Sequence, residues 1–225
     1  MKRFFSVLLL LVFIASLPAC KRSAPAEETL PATEAETPAE TVPETEAPTG
    51  IRRGKVTGKT YVSDYAELTF DAPKTWTFSG EDELEALSGV RPGQLTDAKL
   101  KKLKVETFFD MKAVEEKTGN NVNVTYENLV IAGTDSLSDS ALTDRMRSQL
   151  HDAYDQMNCN RLHTYAPKTA TLCGHTYTCL AAEVGFENRT MVQGCYFRRI
   201  DDYLVIVTVT NFTLTPLSEF EAYFS

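Results

Sequence analysis

Tyr203-Leu204-Val205-Ile206-Val207-Thr208-Val209-Thr210 is the most continuously apolar run of the chain beyond its leader, and its β-branched residues mark it as a strand. A strand without a charged face has to be covered on both sides, which places it at the centre of a sheet. Its neighbours are read outward from it. Asp201-Asp202 joins it to a strand over Met191 to Ile200, Glu187-Asn188-Arg189 turns that strand back onto Tyr177 to Phe186, and Gly174-His175 makes the next turn after Leu172. Nearly everything after Thr169 is strand. At the end, Thr215-Pro216 predicts an N-cap and first helical residue, with Leu217, Phe220 and Phe224 on one side of a closing helix.

Earlier in the chain, Val105, Thr107, Phe109, Met111 and Ala113 alternate with Glu106, Phe108, Asp110 and Lys112, a period of two. Thr118-Gly119-Asn120 supplies a turn, and Val122, Val124 and Tyr126 alternate with Asn121, Asn123, Thr125 and Glu127 on the way back. Between this hairpin and the strand-rich end, Leu142, Met146, Leu150, Tyr154 and Met157 recur at spacings of four and three. That is one face of an amphipathic helix from Ser138 to Met157, with Asp139, Asp144, Arg145, Arg147, Asp152 and Asp155 on its solvated side. Methionines in such a stripe fill core space. Nearer the start, Tyr61-Val62, Ala66 to Phe70 and Pro73 to Phe78 read as short strands. Ser79 with Asp82 predicts a helix start, Leu84 and Leu87 its apolar face, and Gly89 its end. A second short helix begins at Thr96, turning Leu100 and Leu103 inward and spreading Lys99, Lys101, Lys102 and Lys104 around a solvated face. The class is α+β with an antiparallel sheet.

The chain of 225 residues is 43% hydrophobic and 24% charged with a net charge of −8, the composition of an ordinary globular protein. Residues 51–225 hold 19 basic against 24 acidic side chains, so no nucleic-acid partner is expected. Those residues make one domain's worth of chain, too few for a two-lobed solute receptor.

Lys2 and Arg3 precede an apolar run from Phe4 to Leu17 that is short for a membrane span and reads as a signal peptide over 1–19. It ends in Leu17-Pro18-Ala19-Cys20, which resembles the bacterial lipobox, where cleavage leaves a diacylated cysteine. Pro18 departs from that pattern's usual small or β-branched residue. Ordinary cleavage after Ala19 is the rival, although Leu17 is bulky for it. Cys20 is therefore the expected lipidation site and the membrane, through that lipid, the expected anchor. Residues 20–57 are expected to form a disordered tether: between 21 and 50 stand five prolines, seven glutamates and a threonine at every fourth position from Thr29 to Thr49. The prolines preclude a continuous helix. Thirty residues at about 3.3 Å each reach at most roughly 100 Å. The folded domain is expected over 58–225.

Several motifs in their order resemble the PsbP-like superfamily, including the small lipid-anchored members of Firmicutes and the DcrB-like envelope lipoproteins. They are Tyr65-Ala66-Glu67-Leu68-Thr69-Phe70-Asp71-Ala72-Pro73-Lys74-Thr75-Trp76, then Asp110 to Val114, Asn121 to Val124, Leu172 to Tyr177, and Asp202-Tyr203-Leu204. The resemblance implies an antiparallel sheet sandwiched between helices, and a protein that binds or assembles an envelope partner on the extracytoplasmic face of the membrane instead of catalysing a reaction. It transfers no catalytic, metal or cofactor residue, and none is assigned.

Export favours disulfides, and Cys159, Cys173, Cys179 and Cys195 form an even set with three possible pairings. The expectation is two bridges, with Cys179 to Cys195 and Cys159 to Cys173 favoured. Competing uses of the same residues are a thiol nucleophile at Cys173 or Cys179 with His163 or His175, and a zinc site from Cys173, His175 and Cys179. Cys-x-His followed by a five-residue gap matches no established zinc spacing. The alternative function is accordingly a small extracytoplasmic hydrolase or thiol redox enzyme built on the Cys/His cluster of 159–179. His151 reads as a structural histidine at the edge of its helical stripe. Asn123, Asn188 and Asn211 stand in glycosylation sequons, read here as strand and turn residues.

Overall fold

The structure is a computed structural model that describes residues 50–100, 102–157 and 159–225; the expected leader, Cys20 and most of the expected tether lie outside the described residues. In chain order the described elements are β1 (Lys55–Thr57), β2 (Thr60–Ser63), β3 (Leu68–Asp71), β4 (Trp76–Phe78), α1 (Glu81–Leu87) and α2 (Asp97–Leu100). There follow β5 (Thr107–Glu115), β6 (Asn121–Asn128), α3 (Leu129–Ala132), α4 (Asp139–Gln156), β7 (Arg161–Thr164) and β8 (Lys168–Leu172). Last come β9 (His175–Gly185), β10 (Thr190–Ile200), β11 (Tyr203–Asn211) and α5 (Leu217–Glu221). They build an eight-stranded antiparallel sheet in the order β4-β5-β6-β11-β10-β9-β7, with β8 also on β9, and a three-stranded sheet β1-β2-β3. The apolar run of β11 holds the middle of the large sheet, between β6 and β10.

Alternation along these strands sorts the core into two clusters. On one face Leu180, Val184, Met191, Leu204 and Ile206 pack with Leu142, Met146, Leu150 and Tyr154 of α4. On the other, Val122, Val124, Tyr126, Val205, Val207 and Val209 pack with Tyr61, Leu68 and Phe70 of the small sheet and with Phe220 and Phe224 at the chain's end. The expected sandwich of one sheet between helical layers is thus corrected: the second cover is largely a sheet. The reason lies in residues 60–71, whose alternation presents Tyr61, Leu68 and Phe70 on a single face that is buried by stacking sheet on sheet.

Three further differences have physical causes. The domain begins earlier than 58, because Ile51 is buried and β1 pairs with β2. The alternation of β5 breaks at a bulge between Phe109 and Met111, so Phe108, Met111 and Ala113 share a face with Tyr126, Val124 and Val122. Asp110 is the extra residue and is buried, as is Lys112. On α4, Arg145 leaves the solvated side and pairs with buried Glu127, at 2.7 Å. Helix ends shift by a residue or so: Gly80 caps α1 and Pro216 caps α5, while Ser138 caps α4 by accepting from the Ala141 amide.

Candidate functional site

The bulged Asp110 is the centre of a buried polar cluster formed with the first described residues of the domain. Its carboxylate accepts from Arg53 Nε at 3.0 Å, from the Gly54 amide at 2.7 Å and from the Tyr61 hydroxyl at 2.5 Å. Arg53 also donates to the Leu95 carbonyl at 3.0 Å, to the Asp110 carbonyl at 3.2 Å and to Glu81. Burial pushes the Asp110 carboxyl up, against the opposing pull of Tyr61 and Arg53. Burial likewise works against charge on Arg53, but Glu81 and Asp110 outweigh it and hold the guanidinium pKa above its ordinary value. Gly54 is required by this packing: a Cβ there would stand 2.2 Å from the Tyr61 ring.

Beside the cluster lies an acid-rich cleft lined by Arg53, Glu81, Asp82, Glu85, Gly93, Leu95, Thr96 and Asp97. Its wall is α1 and the loop 89–96, and Glu85 holds that loop by accepting the Gly93 and Leu95 amides at 2.8 and 2.9 Å. Those backbone N–H groups lower the Glu85 carboxyl below its ordinary range. Asp97 accepts from the Arg53 amide at 2.8 Å, leaving Glu81, Asp82 and Asp97 on the exposed rim. Sequence reasoning missed Arg53, Asp110 and Glu85. Arg53 fell in the stretch read as tether, and the one signal for Asp110 was the aromatic Phe108 standing in the polar half of the β5 alternation.

The residues singled out from sequence do not converge. Cys20 lies outside the described residues. Cys159, Cys173, Cys179 and Cys195 are free thiols, which corrects the two expected bridges. The register explains why: Cys179 stands opposite Tyr196 and Cys195 opposite Leu180, so their side chains point to opposite faces of the sheet. Cys173 belongs with Cys179 on the small-sheet side, and Cys159 with Cys195 on the α4 side. Each favoured bridge would have to cross the sheet. Burial pushes the Cys179 thiol up to about 11 and the Cys195 thiol up to about 12. Cys173 is also raised by burial, and its Sγ exchanges hydrogen bonds with the Thr69 backbone. A nucleophile needs thiolate, and this environment opposes it.

His175, at the hairpin tip after the left-handed Cys173 and Gly174, has Nε2 3.1 Å from Glu67. His163 rests edge-on against Tyr165, and His151 is largely exposed beside Asp155. Among the described residues no group of three or more His, Cys, Asp or Glu side chains is arranged to hold a metal. No helix there is long and apolar enough to cross a membrane.

No family model matches the chain, and no curated protein does. Among solved structures, cyanobacterial PsbP (CyanoP) from Synechocystis overlaps 80% of this chain and 95% of its own, at 14% identity and a TM-score of 0.43. A protein of unknown function from Pseudomonas aeruginosa, PA94, overlaps 41% of this chain and 60% of its own, at 16% identity and a TM-score of 0.28. At these scores the overlaps carry no argument about activity or partners, and the fold rests on the strand order and register above.

Proposed function

We propose that the chain is a non-enzymatic, lipid-anchored protein of the bacterial cell envelope. In this reading a PsbP-like binding or assembly module is held at the extracytoplasmic membrane face by lipid on Cys20 and a tether over 21–50. The leader, the lipobox-like Leu17-Pro18-Ala19-Cys20 and the Pro/Glu/Thr-rich spacer support the anchor. The observation that carries the binding half is the fixed start of the folded domain. Ile51 is buried and Arg53 is locked to Asp110 beside the acid-rimmed cleft. Glu85 holds the loop 89–96 in place there, which preorganises a surface for a basic segment of an envelope protein.

The test is a photo-crosslinker at Asp82 in the full chain, activated in its own membrane. A defined crosslinked protein is expected, lost when Glu81 and Asp97 are both replaced by lysine and lost on deletion of 21–50. The reading fails if charge reversal leaves the crosslink intact. It also fails if purified protein turns over a substrate in a way that Cys173→Ser abolishes.

A further inference from the structure

At one end of the large sheet, exposed cations and exposed aliphatic side chains come together. The turn begun in α2 runs on to Leu103, whose amide donates to the Lys99 carbonyl at 2.9 Å. Leu100 is buried and Leu103 packs on the same core, so this turn is pinned by its apolar side. Lys99, Lys102 and Lys104 are exposed on the other. Lys99 Nζ donates to the Gly93 carbonyl at 2.5 Å, and no ion pair among the described residues includes any of the three lysines.

α3 brings the apolar side chains to the same end. The Asn128 amide donates to the Glu106 carbonyl at 2.7 Å, which seats the start of α3 beside the residue two places after Lys104. Buried Leu129 and the Asn128 side chain, which accepts from the Ile131 amide at 3.0 Å, fix the short helix in place. Val130 and Ile131 are left 54% and 43% exposed, and among the described residues no other two large exposed aliphatic side chains are adjacent in sequence. Single exposed apolar residues need no explanation, but a fixed turn that shows two of them to water does. By strand order Asp201 and Asp202 lie on the far side of Asn128 from Lys104, leaving half-buried Glu106 as the acid between the lysines and the aliphatic pair.

We infer that this end of the domain docks on an anionic lipid bilayer, with Lys99, Lys102 and Lys104 among the lipid phosphates and Val130 and Ile131 at the headgroup boundary. The inference rests on the lipid-anchored reading above and adds to it a fixed orientation of the domain. Charge decides the occupant. A lysine is a flexible point charge without arginine's carboxylate-matching fork, so three of them suit a diffuse field of phosphates better than a single acidic side chain. Each cation near an anionic leaflet raises occupancy about fivefold. The aliphatic pair adds a contribution that an acidic protein surface does not match. Three lysines and two aliphatic side chains hold a free protein weakly, but on a chain already held by lipid the second contact is intramolecular and a weak one suffices.

The test places a photo-crosslinker at Ala98, exposed beside Lys99, in the full lipidated chain reconstituted into vesicles. One set of vesicles is phosphatidylcholine alone, and the other contains about one-third phosphatidylglycerol. Flotation with the vesicles is measured on the same samples. Lipid adducts are expected to rise at least about fivefold with phosphatidylglycerol and to return to the phosphatidylcholine level in Lys99→Glu/Lys102→Glu/Lys104→Glu. Val130→Ser/Ile131→Ser should lower them by about fivefold with flotation unchanged. Both variants should unfold at the parent's urea midpoint, because the replaced side chains are exposed. Equal adducts in the two lipids, or adducts unchanged in either variant, overturn the inference and leave the anchor standing where the chain floats. A chain that does not float overturns both. In native membranes, an adduct carried by protein in place of lipid overturns the inference in favour of an acidic protein partner.

Discussion

Asp110 stands fully buried at the bulge of β5, and the groups around it are arranged to tolerate its charge. A buried carboxylate left without its cation costs far more than the pair contributes, so removing Arg53 is more damaging than its position near the start of the fold suggests. Arg53→Ala is expected to destabilise the domain by about 3–5 kcal/mol, read as a lower midpoint in urea unfolding. Gly54→Ala forces a methyl into the Tyr61 ring and should cost about 1–3 kcal/mol by the same measurement. Glu85 gives a pH signature of known sign. Its folded pKa lies below the ordinary 4.5, so the stability it contributes is present above that value and is lost as pH falls through the folded pKa. Glu85→Gln should therefore be less stable than the parent at pH 7 and lose less on acidification to pH 3. An equal acid loss in both proteins would refute this account. None of these roles was legible in the sequence, because a carboxylate's partners here are 28 to 57 residues away along the chain or are backbone amides.

At the level of elements, period alone located most of the fold. The helix over 138–157 was readable because its stripe is long and regular, β6 because its alternation is unbroken, and β11 because it is a continuous β-branched apolar run. The pattern in β5 was found but its faces were not, since one extra residue at Asp110 inverts the alternation for the rest of the strand. Short β1 was missed because Lys55-Val56-Thr57 has no apolar pattern and stays exposed while pairing with β2. The stripe on α4 makes separable predictions. Met146→Ala removes a fully buried side chain at the centre of the α4 cluster and should cost about 2–5 kcal/mol. Ser138→Ala removes only the cap on Ala141 and should cost about 1 kcal/mol. Thermal unfolding followed by circular dichroism distinguishes them, and equal shifts would contradict the packing described.

On the scale of the whole molecule, the antiparallel sheet was legible from strand spacing, whereas its covers and its cysteine chemistry were not. Which face a side chain occupies depends on register between strands far apart in sequence, and that decides the fate of all four domain cysteines. Cys173 and Cys179 lie on one side of the large sheet and Cys159 and Cys195 on the other, so neither favoured bridge forms. This turns a thiol count into a test of the anchor. Protein from cells lysed with a thiol trap, denatured and labelled, should show four thiols if Cys20 carries lipid on its sulfur, and five if cleavage after Ala19 leaves it unmodified. Two chains, at about 0.8 kcal/mol per buried methylene, make that lipid a stable anchor, so the four-thiol form should partition into detergent. Before denaturation, Cys179 and Cys195 should label last, because burial withholds both the thiolate and access to it. A count of five, or a Cys20→Ala variant that is cleaved and stays with the membrane as the parent does, would remove the anchor. The tether would then have nothing to hold the acid-rimmed cleft against, and the envelope reading would fall with it.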